Sequence, residues 1–504
     1  MSFTQQNNAT SPDDSVFDTI IIGAGISGIG AAYYFQKDCP NKRFTVLESR
    51  SNLGGTWDLF KYPGIRSDSD LYTFAYEFKP WRSNKSIASA ELILDYLNET
   101  VEENQLRQHI QFNTHVEKAE WSSSEDLWSI TVSTLNEAGE RSSRVLKTRW
   151  IFSATGYYDY ENGYQPEFND ADEFDGELIH PQHWPKNFNA SEKRIVVIGS
   201  GATAVTLVPE LAKDAEHVTL LQRTPTYMMN LPTGDPIANF IKKLFSKDTA
   251  HRLIRKKNVF LHRAFWRFSQ RFPELAKRFL IRHVTNQLPK DYDVAKHFTP
   301  PYNPWDQRLC AVTDGDLFKA IRRGDVDVET DEIARFTANG LELKSGAHLE
   351  ADTIVTATGL NIKLMGGVDI RIDGQPIEFP KTVTYKGAML SGVPNFCFAV
   401  GYTNASWTLK IGLLCEYFCR VFNFAEAHGY TKCVPEVPID NFNTSPLLDF
   451  SAGYIQRSLH LMPKKGDYSP WDMSMNYGPD VKFFREGKIQ DDYLHFSHSD
   501  RAVQ

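Results

Sequence analysis

A strand, a glycine-rich turn and a helix are spelled twice in this chain. The first copy runs from the apolar residues 17–22 into Gly23-Ala-Gly25-Ile-Ser27-Gly28 and the small, helix-compatible residues 29–37. The second runs from residues 194–198 into Gly199-Ser200-Gly201-Ala-Thr203-Ala204 and a helical stretch to Ala215. Each is followed by a further β-run, residues 44–47 ending in Glu48 and residues 218–221 ending in Gln222-Arg223-Thr224. One glycine fingerprint alone is a weak signal, but two of them, each between a strand and a helix, predict an α/β fold with two Rossmann-like dinucleotide-binding domains.

The chemistry of the two strand ends differs. In such a turn the first glycine makes the bend, the second lets backbone approach a pyrophosphate, and the third lets helix pack on strand. Glu48 can accept hydrogen bonds from ribose hydroxyls and repels a 2′-phosphate, so the first site suits FAD, or NAD, and not NADP. Arg223 takes the equivalent place in the second site, where a guanidinium can hold a 2′-phosphate in bidentate fashion, with Thr224 beside it. NADPH is expected there, a surface Arg at a strand end being the plainer reading of the same residue. Two more apolar runs stop in the same words, Ala154-Thr-Gly156 and Ala357-Thr-Gly359. They resemble the strands that pass between the FAD and NAD(P) domains of two-dinucleotide flavoproteins.

Composition narrows the partners. A length of 504 residues is enough for two to four domains. A net charge of -8 lacks the basic footprint of a nucleic-acid binder, and nucleic acid is not expected as a partner. The six cysteines form no C-x-x-C pair and no metal-site spacing, and Cys415 and Cys419 read as small core residues of a helix. No metal is expected. Residues 1–18 lack the charged and apolar regions of a signal peptide, and no apolar run reaches about 18 residues, so a soluble cytoplasmic protein is expected.

Between Pro236 and Pro304 the pattern turns to helices rich in Lys, Arg, Phe and His, with helical stretches at 251–257 and 265–280. Such a basic, aromatic insertion can rest on an anionic membrane; the preferred expectation is a solvated cationic face whose apolar side packs on the core. The expected organisation is an FAD-binding domain over 1–156 completed by 376–504, an NADPH-binding domain over 157–235 and 305–375, and a helical insertion over 236–304. From Ser406 to about Ala427 a long helix is expected. Its N-terminal dipole can face a flavin, and an ordinary buried amphipathic helix reads the same way.

With both nucleotides present, electrons must leave the flavin for some acceptor. No cysteine pair serves a disulfide reductase, and a simple oxidase does not need the second nucleotide unit, which leaves oxygen activation. Here two long motifs add a resemblance. Phe174-Asp-Gly176-Glu-Leu-Ile-His180-Pro-Gln-His-Trp184-Pro185 matches the F-x-G-x-x-x-H-x-x-x-W-P pattern of type I Baeyer-Villiger monooxygenases at every fixed position, and residues 54–68 match their G-G-x-W-x-x-x-x-Y-P-G-x-x-x-D pattern. The wording of residues 66–72, 304–309 and 401–407 resembles the subgroup containing the bacterial ethionamide-activating monooxygenase. The resemblance runs from about Phe17 to about Tyr493.

The resemblance implies that Gly23, Gly25, Ser27, Gly28 and Glu48 hold FAD, with Thr56 and Trp57 near the isoalloxazine and Val116 at the adenine end. It implies that Gly199, Ser200, Gly201, Thr203, Ala204, Arg223 and Thr224 hold NADPH. Asp68 and Arg308 become the expected catalytic pair, also beside the cofactors, and Gln307 stands where several relatives carry Lys. Asp68 also reads as a turn-capping acid after Tyr62-Pro63-Gly64. His180 is expected to couple the domains and Trp184 to anchor packing. The implied reaction uses NADPH and O2 to insert oxygen next to a ketone carbonyl through a C4a-(hydro)peroxyflavin, with oxidation of sulfides or thioamides beside it. A flavin-containing monooxygenase that oxidises only N or S atoms is the alternative enzyme, and a nucleotide-binding sensor without turnover the alternative from another class.

Overall fold

The computed structural model describes residues 16–135, 139–307, 309–438, 442–448 and 452–499. Both fingerprints form the expected units. Strand Phe17–Ile22 lies parallel between Phe44–Leu47 and the long strand Arg141–Ser153. Ile110–Gln111 continues the parallel sheet on one side and Phe396–Phe398, from the far end of the chain, on the other. The strand Arg141–Ser153 serves two neighbourhoods. Its last residues complete the parallel sheet, while its length also pairs with the antiparallel strand Leu127–Leu135 and through it with Thr114–Ser122.

The second unit is a sheet of five parallel strands among the described residues. Their order is Val326–Thr330, His217–Gln222, Arg194–Ile198, Thr353–Thr356 and Glu177–Ile179. Near-continuous apolar runs such as Ile195 to Ile198 suit a parallel sheet covered on both faces. The two units are joined by a pair of crossing strands, Tyr158–Gly163 and Leu360–Ile362, which run antiparallel immediately after the two Ala-Thr-Gly exits.

One boundary is corrected. The second half of the NADPH domain was expected to run to 375, but Asp369–Ile372 pairs in parallel with Thr114–Ser122 and belongs to the flavin-side sheet. The crossing at 360–362 is therefore the true exit.

The long C-terminal helix spans Trp407–His428 and buries most of its length, including Cys415 and Cys419. It packs on helix Ile26–Asp38, where Phe35 and Phe418 meet with ring centroids 5.9 Å apart.

The insertion is corrected too. One helix, Lys247–Arg271, replaces the two expected stretches, and the break falls at Pro273, which starts helix Pro273–Thr285. Ala238, Ala250 and Ile254 enter the flavin-side core, whereas Val284, Leu288 and Phe298 enter the core of the second unit, so the insertion bridges both. Arg255, buried, seats the long helix by donating to the backbone oxygens of Tyr72, Thr73 and Ala75 at 3.2, 3.1 and 2.9 Å.

His251, one turn before Arg255, is buried with neither ring nitrogen hydrogen-bonded. Burial and the Arg255 guanidinium push it down to about 4. Between roughly pH 6.5 and pH 4 the unfolded chain therefore binds a proton that the native chain refuses, and stability falls as pH falls. Thermal melts across that range are expected to show a shallower acid loss for His251→Phe than for the wild type; parallel curves would assign the acid loss to other groups.

Candidate active site

Strand Phe17–Ile22 delivers the chain into a turn that only glycine permits. Gly23 has φ +100°, and a Cβ on it would lie 2.7 Å from the carbonyl oxygen of Ala154. The second unit repeats the device, since Gly199 has φ +139° and a Cβ there would run into the carbonyl of Ala357. In each case the first glycine of the turn backs onto the alanine of an Ala-Thr-Gly exit. Helices Ile26–Asp38 and Ala202–Leu211 then begin at Gly25 and Gly201 with no side chain capping their first N–H groups. Those donors need an acceptor.

A cavity of about 1120 Å³ opens in front of the first turn. Gly23, Gly25, Ser27, Glu48, Thr56, Trp57, Asp68 and Val116 all line it, so the sequence brings together nearly every flavin-side residue it named. Gly28 does not reach the cavity. A Cβ on it would fall on the Gly23 carbonyl, so its part is to let helix sit on strand.

Glu48, almost wholly buried, accepts from the backbone N–H of Ala24 through Oε2 at 2.7 Å and from that of Arg50 through Oε1 at 2.9 Å. Burial raises it above the usual carboxylate range, while these two N–H groups pull the other way. Thr56 Oγ1 lies 3.1 Å from the Tyr160 hydroxyl, which burial pushes up to about 12. Arg50, paired with Asp58 at 2.7 Å, also lines the cavity and was not singled out in the sequence.

At the far end, Asp68 is exposed and lines the cavity; the Ser69 hydroxyl donates to it at 3.4 Å. Arg308 lies outside the described residues, although its neighbours Trp305 and Leu309 both line the cavity. Gln307 does not line it and closes a tight turn with Pro304.

A polar chain that the sequence did not reveal crosses three segments. The hydroxyls of Ser406 and Thr73 lie 2.6 Å apart, Thr73 Oγ1 donates to Asp70 Oδ2 at 2.6 Å, and Asn258 of the insertion donates to Asp70 Oδ1 at 2.7 Å. It ties the start of the C-terminal helix to the insertion across the cavity wall. The same helix start is fixed from behind by the fully buried pair Lys410 and Asp480 at 2.9 Å, with the Tyr402 hydroxyl donating to Asp480 at 2.6 Å. Trp407 Nε1 donates to Ser27 Oγ at 2.9 Å, so this helix begins at the first turn of the flavin-side helix.

The second nucleotide residues form a separate group. None of Gly199, Ser200, Gly201, Thr203, Ala204, Arg223 and Thr224 lines the cavity. Gly201 faces open space, Ser200 Oγ donates to the Thr224 carbonyl at 2.9 Å, and Arg223 is exposed at its strand end near Glu332. Ala204 is fully buried and acts in helix packing, as Gly28 does. Thr203 is engaged by Tyr62, a flavin-side residue whose hydroxyl burial pushes up to about 12.

Each long motif thus has a mechanical part. Residues 54–68 leave the cavity wall at Gly55 and Trp57 and cross to the second unit through Tyr62, Gly64 against Glu210, and Arg66 paired with Asp316 at 2.6 Å; they return to the cavity at Asp68. The other motif supplies the edge strand Glu177–Ile179. The His180 ring packs on Gly163 between the crossing strands, and its Nδ1 accepts from the Gln182 N–H at 3.2 Å. Trp184 packs on Phe188 with centroids 5.0 Å apart, as a packing anchor should.

Comparison with known proteins adds to this geometry. The profile of flavin-binding monooxygenase-like proteins matches residues 82–365, and that of NAD(P)-binding Rossmann-like domains matches residues 21–83. The chain is 47% identical over 488 residues to the FAD-containing monooxygenase EthA of Mycolicibacterium smegmatis, covering 97% of this chain and 98% of that one. It is 44% identical to the probable FAD-binding monooxygenase AlmA of Acinetobacter baylyi, with 97% of each covered. Among solved structures, an oxidised steroid monooxygenase bound to NADP superimposes with a TM-score of 0.73 at 20% identity, covering 96% of this chain and all of that one.

Proposed function

Since the chain belongs to the flavin-binding monooxygenase-like family, we propose that this FAD-dependent monooxygenase takes its electrons from NADPH and inserts oxygen next to a ketone carbonyl, oxidising sulfides or thioamides at the same site. One observation carries the reading. A single cavity holds the flavin-side turn and Glu48 at one end and Asp68, with the apolar Leu261 and Phe265, at the other.

The residues fit both nucleotides. Uncapped N–H groups at the helix start after Gly25, which lines the cavity, suit a pyrophosphate, and the Glu48 carboxylate, oriented by two backbone donors, suits a ribose diol. In the second unit Gly201 and the exposed Arg223 suit a nucleotide carrying a 2′-phosphate. FAD, once bound and reduced, supplies the oxygen-activating chemistry.

The protein's part is positional and electrostatic. Thr56, Trp57 and the start of the C-terminal helix shape the flavin end, the helix presenting the positive end of its dipole. The Asp68 carboxylate can orient a guanidinium, and Arg308, outside the described residues, would supply it as a fixed cation for negative charge developing on the ketone oxygen. Tyr62 and Arg66 transmit the position of the second unit to Asp68 through six residues or fewer of chain, and His180 sits at the crossing that must flex if the units move.

Oxygen uptake and product analysis with NADPH against linear ketones, aryl ketones and sulfides tests the reading. An ester from a ketone supports it; sulfoxide without any ester assigns the chain to the branch that oxidises only N or S atoms; nucleotide binding with no substrate-dependent oxygen uptake would leave the sensor reading.

The cofactor assignment has its own test. Arg223→Ala removes a charge-assisted phosphate contact of about 1.5 to 3 kcal/mol, so the preference for NADPH over NADH is expected to fall more than about tenfold. Equal kcat/KM for the two nucleotides in the wild type would sink the assignment.

A further inference from the structure

Among the described residues, seventeen large apolar side chains are exposed, and eleven of them lie between Ile237 and Phe279. The expectation that the insertion packs its apolar side on the core is therefore only half met. Helix Lys247–Arg271 does bury one face through Ala250, Ile254 and Arg255. A second face carries Leu253, Phe260 and Phe268 into solvent, Phe260 being 69% exposed; on helix Pro236–Leu244, Phe240 is 62% exposed.

Charge follows the same surface. Residues 236–285 hold thirteen Lys and Arg against two acids, in a chain whose net charge is -8. On the long helix the exposed Arg252, Lys256, Arg267 and Arg271 fall on one strip adjoining the strip of Leu253, Phe260, Ala264 and Phe268. A helix with aromatic and aliphatic residues beside a cationic strip is the form that lies in the interface of an anionic lipid layer. No helix among the described residues is long and apolar enough to cross a membrane, so the contact is peripheral.

The patch is joined to the cavity. Ile237 and Leu261 are both exposed apolar side chains of this surface and residues of the cavity wall, and the helix that displays Phe260 also sends Asn258, His262 and Phe265 into the cavity. We propose that the insertion docks on an anionic lipid surface and that apolar substrates enter the cavity from that surface, between helices Pro236–Leu244 and Lys247–Arg271. The docking stands by itself, whereas the entry of a ketone rests on the reaction proposed above.

Co-sedimentation of the FAD-loaded protein with vesicles tests the docking. Binding is expected to phosphatidylcholine vesicles containing about a third phosphatidylglycerol, not to phosphatidylcholine alone, and to weaken with salt. The pair Phe260→Ser and Phe268→Ser, and separately Lys256→Glu and Arg267→Glu, should each lower binding more than about tenfold, since each surface cation strengthens it about fivefold. None of these four residues lines the cavity, so flavin absorbance, melting temperature and turnover of a water-soluble sulfide should stay at wild-type levels.

Equal binding to neutral vesicles, no binding, or variants that bind like the wild type would overturn the docking. So would light scattering that shows a wild-type dimer broken by the same variants with no vesicle binding, because the face would then be covered by a second copy. Vesicle binding with no oxidation of a long-chain methyl ketone dissolved in the vesicles would leave the docking and remove the ketone reaction. Oxidation of that ketone at equal rates by wild type and variants would remove the entry route.

Discussion

Arg308→Ala is expected to purify yellow and folded, to bind NADPH, and to form ester or sulfoxide at a rate lower by about 10² to 10³, the usual effect of removing one preorganised donor to a developing oxyanion. NADPH consumption should continue, with the reducing equivalents appearing as hydrogen peroxide. The separation follows from the layout. On the proposed assignment FAD would rest on the Gly23 turn and Glu48, and NADPH on the second fingerprint, whose strands lie outside 304–309. Stopped-flow reduction of the flavin at close to the wild-type rate, together with a peroxide yield that rises as product falls, is the expected signature. Near wild-type product formation would make Arg308 a structural ion-pair residue and return Asp68 to the part of a turn-capping acid. Arg308→Lys keeps the charge but not the fork of donors, and partial recovery of product is expected from it.

Glu48→Ala should act on the other half of the molecule, and at least as strongly. It would remove the two charge-assisted contacts proposed to a ribose diol, and it leaves the N–H groups of Ala24 and Arg50 without their acceptor in a buried place. At about 1.5 to 3 kcal/mol for each contact, FAD affinity is expected to fall by about 10² to 10⁴, giving a colourless protein that regains colour and activity only in a large excess of FAD. The carboxylate is costly to bury without FAD, so the apo-protein of the variant should melt close to, or above, the apo-protein of the wild type. A yellow variant with unchanged flavin content would remove Glu48 from the site.

What could be read from the sequence was local. Gly23, Gly28 and Gly199 are fixed by backbone that turns within a few residues, and the same holds for the exits at Ala154 and Ala357. Strand Asp369–Ile372 does not reveal its unit, because its partner, Thr114–Ser122, is some 250 residues away and nothing in four residues names it. The polar chain through Ser406, Thr73, Asp70 and Asn258 was invisible for the same reason: the four meet only after the insertion folds back on the flavin side. The residues of the second fingerprint are legible in its spacing, but their separation from the cavity is not, since spacing along a strand says nothing of how two sheets face each other. That the insertion is helical, basic and aromatic is legible in residues 236–304; which of its faces stays uncovered is not a property of composition.

The parallel sheet around the first fingerprint is completed by Phe396–Phe398, which pairs with Arg141–Ser153 roughly 240 residues later in the chain. On a ribosome adding about 5 to 20 residues per second, that strand edge waits unpaired for about 10 to 50 seconds. The second unit, begun later, has all five of its strands by Thr356 and is ready first. Flavin capture is therefore the last event of this protein's birth, and a chain cut short after residue 360 would emerge able to form its pyridine-nucleotide half while its flavin half remained an open, sticky edge.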